Sequence, residues 1–293
     1  MRKINIKELQ SSRQALTNRY RIEHQTNLLS STERDVYIQS RMPATTAVCE
    51  KVLKCIAADN NILSFLDLGC GPGSATIAAL KIFPQLQTIH LIDRDNCYDY
   101  GFCQAYKFFQ QNFRELCLIQ PYDLIVISYA LSECDNTLLK NVLLQAWEHT
   151  NRYLIIIEPG TPYGYASFVK ARQHLIDKGA FLVAPCPHEL TCPLVSPDWC
   201  HFKIRLQRTK IHQQIKQGTR SFEDESYSFG VFSKQPTIKI KSKRIIKKPI
   251  KGSGHILFDL CTADGLKRET ISRKDKPRYI QAKKLEWGDE FQD

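Results

Sequence analysis

Ser64-Phe65-Leu66-Asp67-Leu68-Gly69-Cys70-Gly71-Pro72-Gly73 reads as an apolar strand that stops at a glycine-rich turn, and Ser74 to Phe83 continues it as a helix. Glycines at such a turn let the backbone bend sharply and approach a ligand closely. Asp67 stands two residues before the first glycine, and the next strand, Thr88-Ile89-His90-Leu91-Ile92-Asp93, ends in an acid 24 residues beyond Gly69. A carboxylate at that point can accept both hydroxyls of a ribose. The spacing Gly-x-Gly-x-Gly, with an acid ahead of it, disfavours a dinucleotide pyrophosphate. It suits the ammonium and carboxylate of an amino-acid-type cofactor.

The same alternation extends outward. Asp123–Ser128, Arg152–Pro159 and Ala180–Pro185 are strands, Leu138–His149 and Tyr165–Lys178 are helices, and the pattern predicts a further helical stretch around Phe102–Leu116. Near-continuous Ile, Leu and Val strands separated by helices indicate a parallel sheet covered on both faces, an α/β doubly wound, Rossmann-like domain. Ser226–Lys234 adds a late strand to it. Residues 1–60 read as an N-terminal helical region, with a capping signal at Ser31-Thr32-Glu33 and a break at Arg41-Met42-Pro43. Residues 61–235 form the α/β domain, and 236–293 change to lysine-rich alternating strands with glycine-containing turns, a small basic β module.

Charge follows this division. Residues 1–202 hold 19 basic and 19 acidic side chains, 203–220 hold six basic and no acidic ones, and 234–284 hold 16 basic against four acidic. A neutral body with a basic C-terminal third, within a net charge of +11, reads as a partner of nucleic acid or, less often, of a membrane surface, with a solvated lysine-rich face as the plain alternative. The start, Met1-Arg2-Lys3-Ile4-Asn5-Ile6-Lys7-Glu8, has no apolar core of a secretory signal and is a poor transit peptide, and no apolar run reaches the ~18 residues of a bilayer span. The expectation is no membrane partner and a bacterial cytoplasm, with the mitochondrial matrix second.

The fourth strand declares no catalytic group. It runs into Ser128-Tyr129-Ala130-Leu131-Ser132-Glu133, and a serine and a tyrosine at a strand end are ordinary. Ser128, Tyr129 and Glu133 can line a substrate pocket, but the catalytic residues stay unassigned.

Eleven cysteines, an odd number without a signal, argue against a disulfide framework. Cys186, Cys192 and Cys200 fall within fifteen residues of a proline-interrupted loop, 186–202, that cannot bury a core of its own and would gain from a metal staple. Cys261 is the only cysteine beyond Cys200 and is the candidate fourth thiolate. Spacing alone does not choose the metal, His188 and His201 keep a zinc Cys/His site open, and inert buried thiols are the alternative. Cys49, Cys55, Cys70, Cys97, Cys103, Cys117 and Cys134 read as small buried apolar side chains.

Asp67-Leu68-Gly69-Cys70-Gly71-Pro72-Gly73 resembles the first motif of the S-adenosylmethionine (SAM) methyltransferases with a Rossmann-like sheet. By that resemblance Asp67, Gly69, Gly71 and Gly73 hold the methionine part and Asp93 the ribose. The order of Arg41–Thr46, that turn, Ile155–Pro162, Cys186–Leu194, Asp198–Phe202, Phe258–Cys261 and Glu286–Asp289 is similar to the mitochondrial-type small-ribosomal-subunit assembly family of methyltransferase-like proteins, which also has short bacterial members. The resemblance implies a [4Fe–4S] cluster on Cys186, Cys192, Cys200 and Cys261, with zinc as the alternative, and binding to small-subunit rRNA. It implies a SAM-binding assembly factor whose methyl transfer is an open question. An active rRNA methyltransferase is the second reading, and a zinc-containing small-molecule methyltransferase the third.

Overall fold

A computed structural model describes residues 6–23, 30–96, 106–236 and 243–291. Its main sheet is built from β1 (Ser64–Leu68), β2 (Thr88–Asp93), β3 (Lys107–Gln110), β4 (Tyr122–Ser128), β5 (Thr150–Pro159), β6 (Phe181–Ala184), β7 (Phe202–Gln207) and β8 (Phe222–Ser233). The order is β3-β2-β1-β4-β5-β8-β6, with β7 also paired to β8. The first five strands run parallel, and β8 is antiparallel to β5, β6 and β7.

Both faces of this sheet are buried, and the two-residue period of a strand sorts its side chains between them. Leu66, Leu68, Ile125, Ile127, Leu154 and Ile156 pack on one face against α5 (Asn136–Glu148) and α6 (Pro162–Asp177). Phe65, Leu124, Val126, Ile155 and Ile157 pack on the other against α3 (Met42–Leu53) and α4 (Ser74–Ile82). Each such side chain contributes roughly 1.5–3 kcal/mol on burial, which is why the strands are continuously apolar. Side-chain caps set the helix starts: Asp135 accepts from Thr137 and Leu138 N–H at α5, and Thr161 from Gly164 N–H at α6.

The helix expected at Phe102–Leu116 is corrected where the structure describes it. Lys107–Gln110 is edge strand β3, paired parallel with β2, and Phe113–Glu115 is a single 3₁₀ turn. Two consecutive phenylalanines favour a half-buried edge strand, and Gln111 N–H closes the ladder onto Asp93 O at 2.8 Å. Residues 97–105, with Cys97 and Cys103, lie outside the described residues, as do Thr237–Ser242 of the expected lysine-rich strand.

Three helices cover the carboxyl ends of the strands. Leu9 of α1 (Ile6–Glu23), Val36 of α2 (Ser31–Ser40) and Ile215 of α7 (Lys210–Lys216) share one apolar cluster. The second sheet contains β9 (Lys243–Ile245), β10 (Ile250–Lys251), β11 (His255–Thr262), β12 (Gly265–Ser272) and β13 (Glu290–Phe291), all antiparallel. With α8 (Lys276–Ala282) it encloses its own core of Ile245, Phe258, Leu260, Ile271, Tyr279 and Phe291. Among the described residues no helix is long and apolar enough to cross a membrane.

Candidate functional site

The glycine turn lies at the carboxyl end of β1, tied to β2 because Gly69 and Cys70 N–H both donate to Ile92 O, at 2.8 and 3.0 Å. Gly69 has φ +80°, and a Cβ there would stand 2.9 Å from Ala130 Cβ, so both conformation and space exclude a side chain. Asp93 Oδ2 accepts Gly71 N–H at 2.7 Å and its Oδ1 accepts Asp95 N–H at 2.9 Å. Burial raises the Asp93 pKa, and these two bonds oppose the rise.

Gly69, Gly71 and Asp93 line a cleft of about 630 Å³, whereas Asp67 and Gly73 do not. Asp67 is fully buried on the α3/α4 side of the sheet, where its Oδ2 accepts from Thr76 N–H (3.0 Å) and Thr76 Oγ1 (2.6 Å). Its Oδ1 has no hydrogen-bond partner among the described residues, and burial pushes its pKa up to about 7. Asp67 therefore props the first turn of α4 from behind, while Gly73 (φ +89°) precedes that helix.

Beyond the turn the cleft continues beneath α1 and α2 to residues that sequence spacing could not bring together. Tyr129 follows β4 with φ +57°, a left-handed conformation that non-glycine residues seldom adopt, and its buried hydroxyl has no partner among the described residues. The Arg41 guanidinium sits 5.1 Å from its ring centroid and pairs with Glu225 at 2.8 Å. Glu133, paired with Arg94 at 3.2 Å, and Lys216 also reach the cleft. Glu158, fully buried at the end of β5, accepts the backbone N–H of Leu131 (2.9 Å) and Ser132 (3.2 Å) and so fixes the loop after Tyr129; burial pushes its pKa up to about 7.

Cys186, Cys192, Cys200 and Cys261 line one second cavity, together with Tyr165, Arg172, Pro185, Pro193 and Arg244. Tyr165 Oη and Cys192 Sγ are 3.1 Å apart, and His188 Nε2 is 3.4 Å from Cys261 Sγ. Burial raises the thiol pKa of Cys186, lifts Cys200 well above the usual range and pushes Cys261 up to about 12, and neighbouring thiols add to each rise. Among the described residues no three His, Cys, Asp or Glu side chains converge as ligands of a single metal ion. Four thiols facing one cavity with two arginines beside them nevertheless fit an anionic, thiolate-held group. Of the histidines considered for zinc, His188 adjoins Cys261, while His201 lies between Trp199 (5.2 Å, stacked) and Trp287 (4.3 Å, edge-on) and does not line the cavity. Of the cysteines read as buried, Cys49 and Cys70 are buried, Cys134 is half-buried, and Cys55 and Cys117 are exposed.

Folding also redistributes the basic charge. The β7–β8 hairpin returns acids to the bases of 203–220: Arg205 pairs with Asp224 (2.7 Å), and Arg208 with Glu223 (3.0 Å), which also takes Lys216. In the second sheet Lys243 pairs with Glu269, Lys247 with Asp198 and Lys251 with Glu286, at 3.0, 3.1 and 2.6 Å. Arg244 donates to Pro185 O (3.0 Å) and Gly288 O (2.8 Å) and pairs with Glu290. Lys248, Arg273, Lys274, Lys276, Lys283 and Lys284 stay exposed, with no carboxylate partner among the described residues.

A sheet ordered β3-β2-β1-β4-β5-β8-β6, with antiparallel β8 inserted beside β6, a glycine turn after β1 and an acid ending β2, is the Rossmann-like fold of the SAM methyltransferases. Residues 31–292 match the family described as Mitochondrial small ribosomal subunit Rsm22, and the chain belongs to that family. Ribosome assembly protein METTL17, mitochondrial, of Homo sapiens is 26% identical over 285 residues, covering 87% of this chain and 61% of that protein. Rsm22-cox11 tandem protein 2, mitochondrial, of Schizosaccharomyces pombe is 26% identical over 334 residues, covering 92% of this chain and 44% of that protein. The chain thus spans about half the length of these curated relatives. The solved plantazolicin methyltransferase BpumL aligns with 78% of this chain and 98% of its own, at 14% identity and a TM-score of 0.45.

Proposed function

We propose that the chain is a SAM-binding assembly factor of the small ribosomal subunit that carries a [4Fe–4S] cluster on Cys186, Cys192, Cys200 and Cys261. The observation that carries the first part is the cleft at the strand ends, whose volume falls within the roughly 300–1,000 Å³ usual for small-molecule sites. When bound, SAM supplies an electrophilic methyl group on a sulfonium. Asp93 keeps lone pairs free for ribose hydroxyls after accepting Gly71 and Asp95 N–H. Family membership supports the ribosomal partner, and the exposed bases at the β12–α8 corner supply attraction for rRNA phosphate.

The cluster reading rests on the family and on four thiols meeting at one cavity although Cys261 lies 61 residues beyond Cys200 in the chain. Four cysteine thiolates are the usual ligand set of such a cluster, and no Asp or Glu lines the cavity. A cluster there would join the loop 186–202 to the basic module 236–293, which Arg244, Lys247 and Trp287 already hold to that loop.

The test is anaerobic purification, with iron and sulfide assayed and the visible spectrum recorded, followed by calorimetry with SAM and its demethylated product and binding to small-subunit rRNA. Four irons and four sulfides per chain, a binding heat and preference for that rRNA support the reading. Stoichiometric zinc without iron, or no heat from folded, loaded protein, sinks the corresponding part.

The reading as an active rRNA methyltransferase is favoured by one observation, the strained Tyr129 with its unpartnered hydroxyl beside the cofactor turn. Transfer of labelled methyl from SAM to rRNA, lost in Tyr129→Phe with SAM affinity retained, would support it.

A further inference from the structure

Helix α6 delivers a cation to the four-thiol cavity. Arg172 is 1% exposed, its Nη2 donates to His188 O at 2.8 Å, and its Nε has no hydrogen-bond partner among the described residues. No carboxylate pairs with it among the described residues, and no Asp or Glu lines the cavity it borders. A guanidinium cannot shed its proton, so a buried one without an acid is unfavourable unless another anion faces it. The second arginine, Arg244, differs: its donors reach two backbone carbonyls and Glu290, which fixes it in the junction between the sheets. The candidates to balance Arg172 are the sulfurs of Cys186, Cys192, Cys200 and Cys261, which line the same cavity.

We propose that Arg172 is the built-in counter-charge of the four-cysteine site, stabilising the anionic sulfurs that line it and the group the four thiolates hold. The proposal deepens the cluster reading above and rests on it. Positive charge and N–H donors next to ligating sulfur favour the more negative, reduced form of a cluster and so raise its reduction potential. The same residue leaves the empty protein with an uncompensated buried charge, so loading the site relieves a cost that the fold carries beforehand.

The experiment compares wild type, Arg172→Met and Arg172→Lys, each examined empty and after anaerobic reconstitution with ferrous iron and sulfide. The readouts are iron and sulfide content, the rate of iron loss to a chelator, the melting temperatures of both forms and the midpoint potential. Removing the charge should move the two forms in opposite directions. Empty Arg172→Met should melt at or above the wild-type temperature. Loaded Arg172→Met should melt lower, lose iron at least tenfold faster and show a more negative potential, with Arg172→Lys in between. A side chain serving only to pack would lower both melting temperatures together. That result, with unchanged iron loss and potential in a variant that loads, overturns the counter-charge assignment and leaves the cluster standing. Wild-type protein that takes up neither iron nor sulfide overturns the cluster reading and this inference with it.

Discussion

Arg244 and Cys261 are paired residues of the β9–β11 ladder, and Arg244 reaches from that position to Pro185 O, next to Cys186. One antiparallel register therefore places both the distant thiol and the guanidinium that anchors the cysteine loop. The second sheet is joined to the first at the site that the cluster reading assigns to iron.

Cys261→Ser removes the only candidate ligand from the second sheet. Iron and sulfide should fall well below four per chain, with the brown absorption lost or altered. Hydrogen exchange should accelerate at β9, β11 and the loop 186–202, while β1, β4 and β5 stay protected. The Arg244–Pro185, Lys247–Asp198 and Trp287–His201 contacts should prevent complete release of the module. Full cluster content in this variant would remove Cys261 from the site.

Gly71 has open space where a Cβ would stand and lines the cleft, so Gly71→Arg should fold and block SAM, apart from strain at φ +48°. Asp93→Ala should weaken SAM binding by roughly 1–3 kcal/mol through lost ribose bonds. It also frees the Gly71 and Asp95 N–H groups, so the turn itself should loosen. Calorimetry checks both, and undiminished heat in Gly71→Arg would move the ligand elsewhere.

Rearranged ion pairs change which bases to test for RNA. Lys243, Arg244 and Lys247 are engaged within the protein, so Gln at these positions should cost stability before it reports on RNA. Gln at Lys248, Lys274, Lys276 and Lys284 should leave the melting temperature within a few degrees and flatten the log–log salt slope of rRNA binding by about 3. An unchanged slope would place the RNA contact on another surface.

Asp67 gives a pH signature with a definite sign. Its folded pKa is raised to about 7 from an ordinary 3.8, so between these values the folded state holds a proton that the unfolded chain has released. Stability from this group is present below about pH 4 and declines as pH rises toward 7. Glu158, raised to about 7 from 4.5, acts in the same direction. Asp67→Asn should make the decline shallower in denaturant titrations at pH 5, 6 and 7; an identical slope would show that Asp67 is ionised in the fold. Glu223 works the opposite way. Against its burial, His212, Lys216 and Arg208 hold it well below the ordinary range, so its contribution disappears only in strong acid.

Local order carried much of this protein's fold in one dimension. Strand period, glycine turn and capping residues act between near neighbours, so β1, β2, β4, β5 and the helices between them were legible in the residues from Ser64 to Pro185. The glycine turn and Asp93 were legible for the same reason, since a strand, a turn and the next strand end lie within 30 residues. The stretch Phe102–Leu116 reads as a helix in sequence because an edge strand of four residues, Lys107–Gln110, has too few positions to display its period. Tertiary structure alone decided the rest. It put Asp67 behind the turn, because every second side chain of β1 faces α3 and α4. It set Arg41, Tyr129 and Glu225 along one cleft, and matched the bases of 203–220 with acids that a contiguous count had set aside. It brought Cys261 to the other three cysteines, because sheet register and loop closure join residues far apart in sequence. No local pattern records such a contact, and the unpaired charge of Arg172 becomes visible only once its surroundings are known.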